Sequence, residues 1–288
     1  MQLIENRFFE GERPLFSVSD VLLKNVKFYA GESALKESEN IKAIDCEFMG
    51  KYPFWHNSNS VIQDGLFKPS ARAAVWYGNN IRMTDTRVEA PKMFREIDGL
   101  YLEKVRLTDA EECIWYCKNI ELREVDVNNG NYMFKNCENI KADNLNLQGN
   151  YSFQYTKNVE IRNSHLSSKD AFWNTENVTV YNSVIDGEYL GWHSKNLKLV
   201  NCVIGGTQPL CYAENLVMEN CVMKDDADLA FEYSTLSVKI DGRITSIKNP
   251  KGGEITATDI GEIIIDEYCK NPGACQINVT NILKVKCI

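Results

Sequence analysis

The chain has 288 residues, of which 44% are hydrophobic and 25% charged, with a formal net charge of −8. This is the composition of a folded globular protein and excludes a disordered one. The negative balance argues against nucleic acid and against an anionic membrane surface, both of which attract basic chains.

The N-terminus, MQLIENRFFEGERPLF, has early acids and no apolar run of signal-peptide length, and no later stretch approaches a membrane span. The expected location is therefore cytoplasmic. A repeat then runs along the chain. The hexad Asn158-Val159-Glu160-Ile161-Arg162-Asn163 recurs in kind at 177–182, 196–201 and 215–220. Going backward, the same frame opens at Asn139, Asn119, Gly99, Asn80, Asn59, Asn40, Asp20 and Met1, with spacings of 19–21 residues.

Each unit alternates apolar and polar side chains after its opening residue. The first position after it holds Ile41, Ile81, Leu100, Ile120, Val159, Val178, Leu197 or Leu216, and the third holds Met83, Leu102, Leu122, Ile161, Val180, Leu199 or Met218. Period two marks a strand. The fifth position is a polar turn residue, and the eighth is apolar again (Phe48, Phe67, Val88, Leu107, Leu166, Ile185). A further apolar position lies five residues before the next opening (Leu35, Phe54, Phe94, Phe134, Phe153, Phe172).

Such a unit is one coil of about three short strands separated by bends, and coils stack in parallel at ~4.8 Å. The expected fold is all-β: a right-handed parallel β-helix of about 12–14 coils. Asn6, Asn25, Asn144, Asn163, Asn182, Asn201 and Asn220 at the fifth position should stack as an amide ladder. A leucine-rich repeat has a similar period, but Leu197, Leu199 and Asn201 give L-x-L-x-N where that family needs L-x-L-x-x-N. After residue 224 the frame blurs into pieces such as Ser237-Val238-Lys239-Ile240 and Ile263-Ile264-Ile265. These are expected to form one or two irregular coils and a cap over residues 225–288. No linker divides the chain, so residues 1–288 read as a single domain.

Ten cysteines lack the spacing of a zinc site, since Cys113 and Cys117 have three residues between them and no His cluster joins them. Cys46, Cys202 and Cys221 share one phase, as small buried thiols in a reducing compartment would. No metal and no cofactor is expected. Asp45, Asp64 and Asp85 replace Asn at the fifth position and read as exposed turn residues, with a calcium-like site as the alternative.

The Asn-anchored coils resemble the pectin-lyase-like β-helix superfamily. From MQLIENRFFEGERPLF through DGRITSIKNP and GEIIIDE, the chain also resembles a bacterial family known only as a domain of unknown function. The resemblance implies the fold and brings no activity with it.

All five tryptophans, Trp55, Trp76, Trp115, Trp173 and Trp192, share one phase, and Lys36, Arg95 and Lys135 occupy the same column. A core column would not hold unpaired charges, so this one should reach solvent. It is the candidate ligand-binding strip, because flat rings pack on the C–H faces of sugars. Rings that simply stack between coils to stabilise the sheet are the alternative. Glu37, His56, Tyr77, Arg95 and Glu96, in adjacent columns of consecutive coils, are the catalytic candidates. Glu37 and Glu96 lie about 14 Å apart at ~4.8 Å per coil, too far for an inverting glycosidase pair. Two functions stand side by side. One is binding or processing of carbohydrate along the strip, as a glycoside hydrolase or polysaccharide lyase if it is an enzyme. The other is a non-catalytic intracellular scaffold with a protein partner.

Overall fold

The computed structural model describes residues 1–282 and 284–287. Its Cα framework divides into two compact units, Met1–Gly149 and Asn150–Ile288. Among the described residues there is no helix.

The first unit is a stack of coils whose strands pair in parallel and in register. Val21 pairs with Ile41, Ile81 with Leu100, Leu100 with Ile120 and Ile120 with Ile140. The second unit repeats the scheme, with Val159, Val178 and Leu197 paired in succession. Parallel strands joined by a crossover take the right-handed sense. Each unit is therefore a right-handed parallel β-helix, as the alternation of side chains implies.

Each repeat phase has one orientation. Side chains one, three and eight residues after the opening, and five before the next one, point inward and are buried almost without exception. In the first unit Phe9, Phe28, Phe48 and Phe67 stack ring on ring, with centroids 5.5, 5.2 and 4.6 Å apart. Burying each such side chain contributes about 1.5–3 kcal/mol. The first coil departs from this rule. Gln2 and Arg7 pair with Val21 and Val26, both buried, so polar groups stand at inward phases of that coil.

The bends between strands come from residues with positive φ. The opening residues Asp20, Asn40, Asn59, Asn80, Asn119 and Asn139 of the first unit have φ of 52–57°, and Gly99 has 80°. Asn158, Asn177, Asn196 and Asn215 of the second unit have φ of 54–57°. The fifth position is left-handed as well, from Asn6 at 55° to Asn220 at 51°, including Asp45, Asp64 and Asp85 at 50–52°. Asn tolerates this region better than other side-chain-bearing residues.

The expected fifth-position ladder is present: Asn25 donates to Asn6 at 2.8 Å, Asn201 to Asn182 at 3.0 Å and Asn220 to Asn201 at 3.4 Å. A second ladder runs through the opening residues themselves. Asn59 donates to Asn40 at 3.2 Å and Asn80 to Asn59 at 2.7 Å. Asn177 donates to Asn158 at 3.2 Å, Asn196 to Asn177 at 2.9 Å and Asn215 to Asn196 at 3.1 Å. Where Gly99 offers no side chain, Asn119 bonds Asp98 at 2.6 Å instead.

Three coils follow residue 224. Thr235–Ile240 pairs with Gly252–Ile265, which pairs with Cys275–Ile282 and Val285–Cys287, all in parallel. The tail thus extends the stack of the second unit, where the sequence suggested one or two irregular coils and a covering segment.

Cys46, Cys113, Cys117, Cys137, Cys202, Cys211 and Cys221 are buried free thiols, and Cys269 and Cys275 are half-buried. The Cys287 side chain lies outside the described residues. Burial pushes the Cys46 thiol up to about 11 and those of Cys113 and Cys211 up to about 12, from an ordinary 9.0.

Two outcomes follow. Asn196→Leu should destabilise the protein by about 1–3 kcal/mol, because it removes a rung and forces a γ-branched residue into the left-handed region. Asn196→Gly should recover part of that loss by restoring the backbone preference, and thermal melts compare the two. The thiols add a pH effect. The raised folded-state values mean that their stabilisation is complete below pH 9 and is lost as pH rises toward 11–12. Melting temperature should therefore fall over that window. At pH 8 a thiol reagent should label Cys269 and Cys275 well before the seven buried cysteines.

Candidate functional site

The outer columns sit on the bend that precedes each opening residue. In the first unit Glu37, His56, Tyr77 and Glu96 are left-handed, with φ of 62, 56, 61 and 52°, and exposed at the surface. Their backbone N–H groups bond the next coil, as Glu37 N–H does to the Trp55 carbonyl and Glu96 N–H to that of Trp115, both at 2.9 Å. His56 and Tyr77 stack at 5.0 Å. Neither Glu37 nor Glu96 has a side-chain hydrogen bond or ion pair among the described residues.

The tryptophan column beside them is half-buried. Trp55 and Trp76 lie parallel, 5.4 Å apart with 8° between their planes. The Arg95 guanidinium inserts between Trp76 and Trp115, at 4.3 and 4.8 Å from the ring centroids. Lys36 and Lys135 close the stack over Trp55 and Trp115, at 5.8 and 5.5 Å. The charges in this column are thus partners of the rings. The indole N–H groups donate to carbonyls of the next coil: Trp55 to Ala73 at 2.7 Å, Trp76 to Lys92 at 2.8 Å and Trp115 to Tyr132 at 2.7 Å. Ring faces here meet one another along the stacking direction and turn their edges outward.

In the second unit the corresponding ladder comes to an end. His193 stacks on Tyr212 at 4.8 Å, and Tyr212 meets Tyr233 at 5.4 Å. In the next coil the Tyr233 N–H bonds the carbonyl of Asn249, and Pro250 follows, so no further ring covers Tyr233. A pocket of about 410 Å³ opens there, lined by His193, Tyr212, Glu214, Tyr233, Asn249, Pro250, Lys251, Cys269, Lys270 and Asn271.

Hydrogen bonds and ion pairs hold its wall. Asn249 donates to Asp266 at 2.7 Å and accepts the Asp266 N–H at 3.1 Å. Asp266 in turn accepts the Tyr268 N–H at 3.0 Å, which fixes the turn that carries Cys269, Lys270 and Asn271 over the opening. The Asn249 amide holds the Asp266 carboxyl below the usual range. Lys248 pairs with Glu232 at 2.9 Å and Asp266 at 3.7 Å behind the wall. Burial raises the Tyr212 and Tyr233 hydroxyls above their ordinary value, so both remain neutral O–H donors at physiological pH. Lys195 pairs with Glu214 at 3.4 Å, whereas Lys251 and Lys270 have no ion pair among the described residues. The Lys270 ammonium lies 5.9 Å over the Tyr233 ring.

A family model described as a protein of unknown function, DUF3737, matches residues 2–278. The chain belongs to the DUF3737 family. Among solved structures, the crystal structure of a mutant of the periplasmic alginate epimerase AlgG is similar over 99% of this chain and 73% of that one, at 9% identity and a TM-score of 0.27. So distant a likeness carries no chemistry across. Among curated proteins there is no match.

In this DUF3737 chain the residues singled out from sequence do not form one site, and Glu37 stands apart from the others on the exposed bend. Trp55, Trp76, Trp115, His56, Tyr77 and Arg95 come together in the first unit as one stacked surface. Glu96 lines a separate open depression of about 580 Å³ with Gly78, Asp98, Tyr116 and Lys118. Trp173 and Trp192 belong to the second unit, where Trp173 stacks on His193 at 6.4 Å and Trp192 packs edge-on against Tyr212 at 5.2 Å. The pocket residues beyond Tyr212 escaped the sequence reading. Tyr233 carried a signal, because it follows Tyr212 by 21 residues, within the repeat spacing. Among the described residues no three His, Cys, Asp or Glu side chains are grouped to hold a metal ion. Among the described residues no helix is long and apolar enough to cross a membrane.

Arg95→Ala should lower stability by about 1–2 kcal/mol, since it removes two cation–π contacts of about 0.5–1 kcal/mol each. Arg95→Lys should lose less. Denaturant melts followed by tryptophan emission measure both.

Proposed function

We propose that this protein binds carbohydrate, and that the ligand seats in the second-unit pocket against Tyr212 and Tyr233. The observation that carries this reading is the end of the ring ladder at Tyr233. Within a stack each ring face is covered by its neighbours, whereas at the ladder's end Tyr233, tilted 45° to Tyr212, lines a pocket of about 410 Å³ in which the Lys270 ammonium lies 5.9 Å over the ring. A C–H face of a sugar packs on such a ring, and the polar groups around it suit hydroxyls. The Tyr212 and Tyr233 hydroxyls, Asn271 and Lys251 supply donors, and Glu214 supplies an acceptor.

The same reading assigns the coils to the pectin-lyase-like superfamily, on the resemblance of their Asn-anchored frame. It takes the free thiols as a sign of a reducing compartment, consistent with the cytoplasm. It assigns the Trp55–Trp76–Arg95–Trp115 column a supporting part, because those rings and the guanidinium are already stacked on one another. Glu37, His56 and Glu96 are given no proton-transfer step.

A second reading, a non-catalytic scaffold, draws on one observation. Ion pairs join successive coils on the outer faces, as in Lys118–Glu138 at 3.8 Å and Lys157–Glu176 at 3.4 Å, and give a patterned charged surface for a protein partner.

Titration with a panel of neutral and acidic oligosaccharides separates the two. Trp192, edge-on against Tyr212 at 5.2 Å, should report binding by a change in emission. Tyr233→Ala should weaken the affinity about tenfold through loss of ring stacking, while Trp192→Phe should remove the signal and spare calorimetric binding. No heat and no emission change with any sugar of the panel would set the carbohydrate reading aside in favour of the scaffold.

A further inference from the structure

The acids around the second-unit pocket are already engaged. Glu214 pairs with Lys195 at 3.4 Å. Behind the wall Glu232 and Asp266 share the Lys248 ammonium, at 2.9 and 3.7 Å, and Asp266 also accepts an N–H of the Asn249 amide at 2.7 Å. Glu267, on the same turn, does not line the pocket. The two lysines that do, Lys251 and Lys270, have no ion pair among the described residues. In a chain whose net charge is −8, the pocket thus presents two cations with no local counter-charge.

The position of Lys270 bears on what can enter. Its ammonium lies 5.9 Å over the Tyr233 ring. A neutral sugar that packs on this ring has to displace a cation from its face and loses that attraction. A sugar that carries an anionic group keeps the ammonium engaged and reaches the ring as well. The lining also narrows the anion. It holds no arginine, the side chain whose planar fork matches a carboxylate. Lysines act as separate point charges, which suits a phosphate, with three outward oxygens and a charge of about −2 to balance both ammonium groups. The Tyr212 and Tyr233 hydroxyls, kept protonated by burial, add neutral donors.

We propose, on the carbohydrate reading of this site, that its ligand is a sugar phosphate, with the sugar against Tyr233 and the phosphate held by Lys251 and Lys270. At about 410 Å³ the pocket lies near the low end of the ~300–1,000 Å³ of small-molecule sites, so it suits one small phosphorylated sugar rather than a polymer chain.

Calorimetric titration of the full chain tests the proposal. The probes are hexose phosphates of the glucose, mannose and galactose series, their uncharged parent hexoses, the corresponding uronates, and inorganic phosphate. A hexose phosphate should bind at least about tenfold more tightly than its parent, its uronate and inorganic phosphate. Lys251→Gln and Lys270→Gln should each weaken it about tenfold, while Lys239→Gln, at an exposed lysine outside the pocket, should leave it unchanged. Both pocket lysines are exposed, so these substitutions spare the fold, and the comparison among probes on the unaltered chain needs no variant. Equal binding of uronates, or of inorganic phosphate alone, overturns the proposal. So does a hexose phosphate that neither lysine variant weakens. Heat from neutral oligosaccharides but from no hexose phosphate overturns it and leaves the carbohydrate reading standing, whereas heat from neither sets both aside.

Discussion

The left-handed bend is the constraint on which everything else in each unit rests. A coil of about 20 L-residues can close on itself only by turning sharply between short strands, and these turns are made without relying on glycine or proline. Among the described residues, 54 that are not glycine have φ between 41 and 68°, a region that L-residues enter at a cost. The cost is offset by repetition. Nearly every such residue stacks on another in the same conformation, Asn129 being an exception, so one bonding pattern and one packing pattern serve each coil in turn. Asn recurs at two of the bends because its amide also bonds the copy above and the copy below.

The same bends decide what the outer surface can do. The columns with the richest side chains, those of His56 and Tyr77 in the first unit and of His193, Tyr212 and Tyr233 in the second, lie on a left-handed position. Stacking at coil spacing sets ring on ring, and the faces that could meet a ligand are spent on neighbours. Chemistry is therefore pushed to places where the order breaks, such as the coil after Tyr233, where Asn249 and Pro250 replace the next rung and the turn held by Asp266 overhangs the gap. The charged members of the tryptophan column follow the same logic, since Arg95 fills the place of a missing ring with a flat cation.

The coil frame was legible in the chain because Asn and apolar residues recur at fixed offsets, and burial follows those offsets from Ile41 to Leu216. The amide ladder at Asn182 and Asn201 was legible for the same reason, while the one at Asn177 and Asn196 went unread although the same residue type marks it. Phase alone could not show which way a ring would face. Lys36 and Arg95 indicated correctly that the tryptophan column reaches solvent, yet nothing in the spacing tells an open indole face from one closed by a guanidinium 4.3 Å away. Most of the pocket's lining, from Tyr233 to Asn271, lay beyond residue 224, where coil lengths change. Pairing there advances by 17 residues from Thr235 to Gly252 and by 22 from Gly253 to Cys275, so a search tuned to 19–21 loses the frame.

The amide ladders also have an electrical direction. In the first unit Asn40, Asn59 and Asn80 each donate to the coil before them, and the last acceptor of the row is the Asp20 carboxylate, 3.2 Å from Asn40. The amide dipoles are aligned head to tail, so each bond polarises the next. Their positive ends sum toward the N-terminal side of the row, as peptide dipoles do toward the start of a helix. Asp20 stands where that partial charge emerges and fills the role of a helix-capping carboxylate in a structure without a helix.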